Sequence, residues 1–284
     1  MSGVVATAIV AHVPTLGLEK NIPDFQKNLP AAERALGGAL REQLKPDLWV
    51  MVSSHWVATF DWLITAHVRH RGVCVADEAP YLIPGVAYDY KGDPDFAAAL
   101  AHTLKAQAIP AALNESEHYH WDYGSFVPMQ YLDPHGETPV VTMPSVVLST
   151  LEESLRVGAA IDAAAKQLGR RVVVLASSAL SHWLVRGRDN WPTPERIAAD
   201  ATFMKRFIAG DLDALVADLP DWARFVVAEM GGKPVATALG AAQAMAAGGR
   251  RLAGRQYGDY TRSSGSGNVV AVMAGADDIA RLPA

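Results

Sequence analysis

The chain has 284 residues, with 25 Lys and Arg against 30 Asp and Glu, a formal charge of −5, a 50% hydrophobic content, 9 His and 1 Cys. This length allows about two domains at most and equally suits one large α/β unit, and the absence of a basic block excludes nucleic-acid binding as a default, because phosphate neutralisation needs clustered Lys and Arg. The lone Cys74 excludes an intrachain disulfide and a Cys-based zinc site, so the expected compartment is a reducing cytosol.

The first apolar run, Val4 to Val10, is preceded by Met1-Ser2-Gly3 without a basic residue, so it does not resemble a targeting signal, and it is too short to cross a bilayer. Similar β-branched runs follow at Leu48 to Val52, Val172 to Leu175 and Val269 to Met273. Their continuous apolar character predicts strands buried on both faces. Helical patterns lie between them. Pro30 opens a stretch in which Leu36, Leu40 and Leu44 share a face. Asp93-Pro94 reads as an N-cap with proline at the first helical position, ahead of Phe96, Leu100 and Leu104. Thr150 and Glu153 match a capping box before an Ala-rich run that Gly169 stops. Thr193-Pro194 and Pro234 open two further helices, and Ser263 to Gly267 reads as a tight turn before the last strand. Strands alternating with helices predict an α/β fold around a largely parallel or mixed sheet. With no internal repeat and no long linker, a single domain spanning 1–284 is expected.

Three histidines stand immediately after three of the predicted strands: His12 in Val10-Ala11-His12-Val13-Pro14, His55 in Ser53-Ser54-His55-Trp56, and His182 in Leu180-Ser181-His182. Open α/β sheets bind ligands beyond the carboxyl ends of their strands, so the three can converge on one pocket. Each one taken alone is more often a capped or hydrogen-bonded structural residue than a ligand. Neutral imidazole is the commonest side-chain metal ligand, and two with a carboxylate make a facial triad with open positions. No H-x-H, H-E-x-x-H or C-x-x-C spacing narrows the choice.

Seven segments in order carry a family resemblance: Ala11-His12-Val13-Pro14; Ser54-His55-Trp56; Glu78-Ala79-Pro80 on to Tyr88-Asp89-Tyr90-Lys91-Gly92; Asp122-Tyr123-Gly124 with Val127-Pro128-Met129; Ala179-Leu180-Ser181-His182; Ala228-Glu229-Met230-Gly231; and Ser263 to Gly267. The chain resembles the class III extradiol catechol dioxygenases, the LigB-type superfamily, and within it the homoprotocatechuate 2,3-dioxygenase-like branch. The resemblance implies a non-haem Fe(II) held by His12, His55 and Glu229, with His182 as the active-site histidine. It also implies a cytoplasmic homo-oligomer that cleaves a catechol-type ring with O2 to a semialdehyde in aromatic catabolism. Glu229 lies among Phe225-Val226-Val227-Ala228 and Met230, and a carboxylate in apolar company needs a partner.

Asp122-Tyr123-Gly124 departs from the Asp-His-Gly of protocatechuate-type members, so a second catalytic histidine is missing there. Tyr123 takes its place as a hydrogen-bond donor, with His118 and His120 nearby as substitutes or surface residues. Pro14, His120 and Trp183 are expected to contact substrate, and Val13, Trp56, Trp121 and Phe126 to help wall a flat pocket. Arg186, Arg188 and Arg262 are the candidate partners of a substrate carboxylate. An ortho-aminophenol substrate, a metal-dependent hydrolase with Zn(II), and a non-catalytic subunit on the same scaffold stay open as alternatives.

Overall fold

The computed structural model describes residues 2–283. In chain order the strands are β1 (Gly3–Val10), β2 (Leu48–Ala58), β3 (Trp62–Thr65), β4 (Arg69–Cys74), β5 (Val86–Lys91), β6 (Ala111–Asn114), β7 (Val140–Val146), β8 (Arg171–Ser177), β9 (Leu252–Ser263) and β10 (Ser266–Gly275). The helices are α1 (Asn28–Ala39), α2 (Pro94–Ala106), α3 (Tyr123–Leu132), α4 (Leu151–Gln167), α5 (Pro194–Ala209), α6 (Leu212–Val226), α7 (Lys233–Ala246) and α8 (Ala276–Arg281). One six-stranded sheet runs β7-β2-β8-β1-β10-β9, and the pairs β3-β6 and β4-β5 form two small sheets beside it.

All four apolar runs become strands of the central sheet. β7, β2, β8 and β1 are parallel, β10 runs antiparallel to β1, and β9 pairs antiparallel with β10, so the sheet is mixed. Successive residues of each run serve opposite layers: Trp49 and Met51 join the core that includes Leu36 and Phe126, while Leu48 and Val50 join the one under α2 and α4. Both faces being covered explains why these strands carry no polar alternation. Burying each such side chain stabilises the fold by roughly 1.5–3 kcal/mol.

The start signals act as their chemistry dictates. Asp93 accepts from the Phe96 N–H at 3.0 Å, and Thr150 Oγ1 accepts from the Glu153 N–H at 3.0 Å. Only half of the capping box forms, because the Glu153 carboxylate accepts instead from Trp62 Nε1 at 2.8 Å. Pro30 is the third residue of α1 rather than its opener, and the Leu40–Leu44 end of that helix widens into a π turn. The Ser263 to Gly267 turn is the β9–β10 hairpin, with Ser264 and Gly265 both at positive φ, as a two-residue turn of this hand demands. No helix among the described residues is long and apolar enough to cross a membrane.

Candidate metal centre

β2, β8 and β1 are neighbours in the sheet, and their carboxyl ends carry His55, His182 and His12. His12 stands two residues beyond β1, where the Ala11 N–H is held by the buried Glu33 carboxylate at 3.0 Å. The pairing of β2 with β7 breaks register between Ser53 and Val57, and that irregularity turns the Ser54–Trp56 stretch out of the ladder. His55 sits in it, its N–H held by Ser53 Oγ at 3.1 Å. Isolated bridges pair Ser181 with Ala228 and His182 with Ser266, which bring the chain after β8 alongside the chain after α6. Those bridges set His182 next to Glu229.

Glu229 is reached through a contorted backbone. Val227 ends α6 at φ 53° and ψ 55°, Met230 takes φ 48°, and Gly231 and Gly232 are also left-handed before α7 begins. A β-branched residue in that region is a true outlier. The side chain it delivers is buried, 3% exposed, among three imidazoles.

Glu229 Oε1 lies 3.1 Å from His12 Nε2, 3.3 Å from His55 Nε2 and 3.4 Å from His182 Nε2. Ligand atoms of His12, His55 and Glu229 all fall within 4.8 Å of one another. The hydrogen bonds behind them decide which atoms face inward. Ser177 Oγ donates its only proton to the Gly124 carbonyl at 2.6 Å, so its 2.9 Å contact with His12 must be a bond donated by Nδ1–H. His55 Nδ1 lies 3.1 Å from Glu78 Oε1, an acceptor only, so that nitrogen also carries the proton. Glu229 Oε2 accepts the Ala179 N–H at 2.6 Å. Two imidazole lone pairs and one carboxylate oxygen are therefore left pointing at each other. Only the Tyr123 hydroxyl, 2.7 Å from His55 Nε2, can donate among them, so His12 Nε2 and Glu229 Oε1 still face each other in an arrangement that a cation would satisfy. Two neutral imidazoles and a carboxylate are a donor set for a borderline divalent ion with positions left open.

Burial pulls the His55 pKa down, but its bond to Glu229 and the charges of Glu229, Asp122 and Glu78 outweigh that and raise it. For Glu229, burial pushes upward and is overcome by the histidines, which hold the carboxyl well below its ordinary range. His182 is lowered, chiefly by burial. Burial, then Glu78, raises the Tyr123 phenol, which stays protonated and donates to His55 Nε2 at 2.7 Å. Tyr123 opens α3 behind the Asp122 cap, and Gly124 permits the approach: a Cβ there would meet Ser53 Oγ at 2.5 Å and His55 Cβ at 3.4 Å.

Comparison with known proteins completes the picture. Residues 6–272 match the family model described as the catalytic LigB subunit of aromatic ring-opening dioxygenase. The chain belongs to the LigB family of aromatic ring-opening dioxygenases. It is 23% identical over 241 residues to an Escherichia coli 3,4-dihydroxyphenylacetate 2,3-dioxygenase, covering 81% of this chain and 86% of that protein. It is 24% identical over 193 residues to a 2-aminophenol 1,6-dioxygenase beta subunit from a Pseudomonas species, 63% of each chain. Among solved structures, it is similar to the uncharacterized protein JW3007 from Escherichia coli K12, with a TM-score of 0.66 and 20% identity, covering 95% of this chain and 100% of that one.

The remaining sequence expectations fall in different places. His120 lines the cavity beside His55 and Tyr123, while His118 is exposed near Ser116. Pro14 opens a short 3-10 turn directly beyond His12. Trp183 is 54% exposed and stacks under the Arg196 guanidinium at 5.0 Å, away from the lining of that cavity. Trp121 does line it, stacked between Tyr88 and Tyr90, whereas Phe126 belongs to the core. Arg262 is held between Phe25 and Trp191. Sequence reasoning missed Ser177 and the role of Glu78. The Glu78-Ala79-Pro80 motif and the serine pair ending β8 were the available signals.

Proposed function

We propose that this LigB-family chain is a single catalytic domain, 1–284, acting as an Fe(II)-dependent extradiol dioxygenase on ortho-dihydroxy aromatic rings. The observation that carries this is the inward convergence of His12 Nε2, His55 Nε2 and Glu229 Oε1, with every outward atom already tied down. When bound there, Fe(II) supplies adjacent open positions for the diol and O2 and a route for electrons from ring to oxygen.

The protein's own groups do the rest. His182 is the most exposed of the three imidazoles, its side chain 28% accessible against 7% for His12. It is placed to take a ring-hydroxyl proton when substrate binds and to return a proton later in the reaction. Tyr123, held protonated, would donate a hydrogen bond to a substrate oxygen. His120 and Pro14 contact substrate. In the overall change one ring carbon–carbon bond breaks and both atoms of O2 enter the product, so no external reductant is required. Homo-oligomerisation and a cytoplasmic setting in aromatic catabolism belong to the same reading.

The test is oxygen uptake and absorbance with the Fe(II)-reconstituted protein over catechol, protocatechuate, homoprotocatechuate and 2-aminophenol. The expected result is uptake with a new yellow chromophore, abolished in His12→Ala and lowered at least 100-fold in His182→Ala with metal still bound. Wild-type turnover in His182→Ala removes its role as acid and base. Turnover of 2-aminophenol alone reassigns the substrate class.

A further inference from the structure

The Ser263–Gly267 turn joining β9 to β10 supplies none of the atoms that converge in the metal cluster, yet its backbone is tied along the segment that carries His182. The Leu180 N–H donates to the Gly267 carbonyl at 2.9 Å, and the Gly267 N–H donates back to the Ser181 carbonyl at 2.9 Å. His182 pairs with Ser266 as a β-bridge, and the Val185 N–H donates to the Ser264 carbonyl at 2.7 Å. Residues 180–185 thus lie against the hairpin tip as a short additional strand. On its other side the same segment meets the chain after α6: Ser181 bridges Ala228, and the His182 N–H donates to the Val226 carbonyl at 3.4 Å. The imidazole is therefore aimed from between the hairpin and the turn that delivers Glu229.

That backbone hold matters because the side chain has little else. Nδ1 of His12 is tied to Ser177 and Nδ1 of His55 to Glu78. Among the described residues no side chain bonds to His182 Nδ1, and the ring makes only a 3.4 Å approach to Glu229 through Nε2. The partner of one ring nitrogen is what fixes an imidazole's tautomer and orientation, so for His182 the aim falls to the main chain. The glycines admit the contact. A Cβ on Gly265 would stand 2.5 Å from the Trp183 carbonyl oxygen, and that residue also holds φ 85°. A Cβ on Gly267 would overlap the Tyr260 hydroxyl and come within 2.8 Å of Ser181 Oγ. Tyr260, from β9 of the same hairpin, completes the hold: its hydroxyl donates to Asp200 at 2.7 Å and lies 3.3 Å from Ser181 Oγ, while Asp200 accepts the Ser181 N–H at 3.2 Å. Each polar atom of Ser181, the residue before His182, is bonded by the hairpin or by Asp200.

We infer that the β9–β10 hairpin is the positioning element of His182, with Gly265, Gly267 and Tyr260 as its positioning residues, and that it governs the rate of proton transfer without governing metal binding. The inference rests on His182 being the acid and base of the proposed ring cleavage. Misplacing such a group by about 1 Å costs on the order of 100-fold in rate.

The test compares Gly267→Ala, Gly265→Ala and Tyr260→Phe with the parent. Tyr260→Phe removes one hydroxyl and adds no bulk, so it keeps the test decisive where a glycine variant fails to fold. In the iron form, kcat for a diol is expected to fall about 30–100-fold in the glycine variants and about 3–10-fold in Tyr260→Phe, with KM and Zn(II) affinity within about threefold of the parent. In a His182→Ala background the same substitutions should change the residual rate by less than about twofold, because the group they aim is gone. A loss of full size in that background, an unchanged kcat in every folded variant, or a parallel loss of Zn(II) affinity overturns the inference. A second reading needs no turnover. Carbon resonances of ring-labelled histidine in the Zn(II)-loaded protein should show one His182 signal in the parent, assigned by its absence from His182→Ala. That signal should be doubled or displaced in the variants while those of His12 and His55 stay in place, and an unmoved His182 signal overturns the inference. Absence of oxygen uptake by the iron-loaded parent with every diol refutes ring cleavage, and the resonances then decide by themselves whether the hairpin positions His182.

Discussion

Glu78 Oε1 lies 3.1 Å from His55 Nδ1, so a carboxylate on the loop between β4 and β5 fixes which nitrogen of that histidine faces His12 and Glu229. Partners of this kind hold the ligand's tautomer and ring orientation, and losing one lowers metal affinity about 10–100-fold. Glu78→Ala is expected to weaken Fe(II) or Zn(II) binding by that factor in a chelator-competition titration. Because the Glu78 side chain is 54% accessible, its urea midpoint should scarcely move. Unchanged metal affinity would remove Glu78 from the site.

Ser177 plays the equivalent part for His12 but from inside the protein. It is fully buried and links His12 Nδ1–H to the Gly124 carbonyl. Ser177→Ala leaves a buried donor and a buried acceptor unpaired, which costs roughly 1–3 kcal/mol. Metal affinity and urea stability should therefore fall together, unlike the Glu78 variant. A variant as stable as the parent would show that water replaces the hydroxyl.

Asp200 supports the loop that carries His182. It is buried and accepts from the Tyr260 hydroxyl at 2.7 Å and the Ser181 N–H at 3.2 Å. Burial pushes its pKa up from 3.8 to about 6 against the pull of those hydrogen bonds. The folded chain thus holds a proton that the unfolded chain has released between these values. This contribution to stability is fully present below the unfolded value and is lost as pH rises through about 6. Two pH units correspond to about 3 kcal/mol at most. Asp200→Asn keeps an acceptor without the charge, so its advantage over the parent in urea unfolding should approach that size above pH 7. It should shrink steadily as pH drops through 6. A difference independent of pH would contradict this.

Val227 holds a left-handed conformation at φ 53° and ψ 55°, two residues before Glu229. Left-handed backbone costs a β-branched residue about 1–2 kcal/mol, a penalty glycine does not incur. Val227→Gly should raise urea stability by about 1 kcal/mol, net of the lost side chain, while Val227→Ala should not. A metal affinity that falls in the stabilised glycine variant would show that the strain helps aim Glu229. Equal stability of all three proteins would mean that the turn imposes no strain.

The central strands and three histidine positions were legible because both obey short-range rules. Leu48 to Val52 reads as a buried strand from its composition, and His12 and His182 follow strands whose carboxyl ends must face one side of a parallel sheet, whereas His55 lies inside β2, which runs on through a register break to Ala58. β9 was not legible, since its mixture of Arg255, Gln256, Asp259 and Arg262 suits an edge strand and carries no apolar run. Glu229 was found only through the family resemblance. Nothing in its neighbourhood encodes the Ser181–Ala228 bridge that pulls it under His182. Ser177 and Glu78 depend on contacts 165 and 23 residues away in the chain, which no periodicity reports. Trp183, next to His182 in sequence, is half exposed with its ring beneath the Arg196 guanidinium.

The central claim is that both atoms of O2 enter a ring opened at the His12, His55 and Glu229 centre. Its most direct test is turnover of a diol by the iron-loaded protein under heavy-isotope dioxygen, with the aldehyde trapped by reduction as it forms and the product read by mass spectrometry. The account predicts two labelled oxygens per product, one in the carboxylate and one in the trapped aldehyde, and no product from Glu229→Ala. An opened ring carrying no label, or one whose oxygen comes from labelled water alone, would contradict it and assign the centre to hydrolysis.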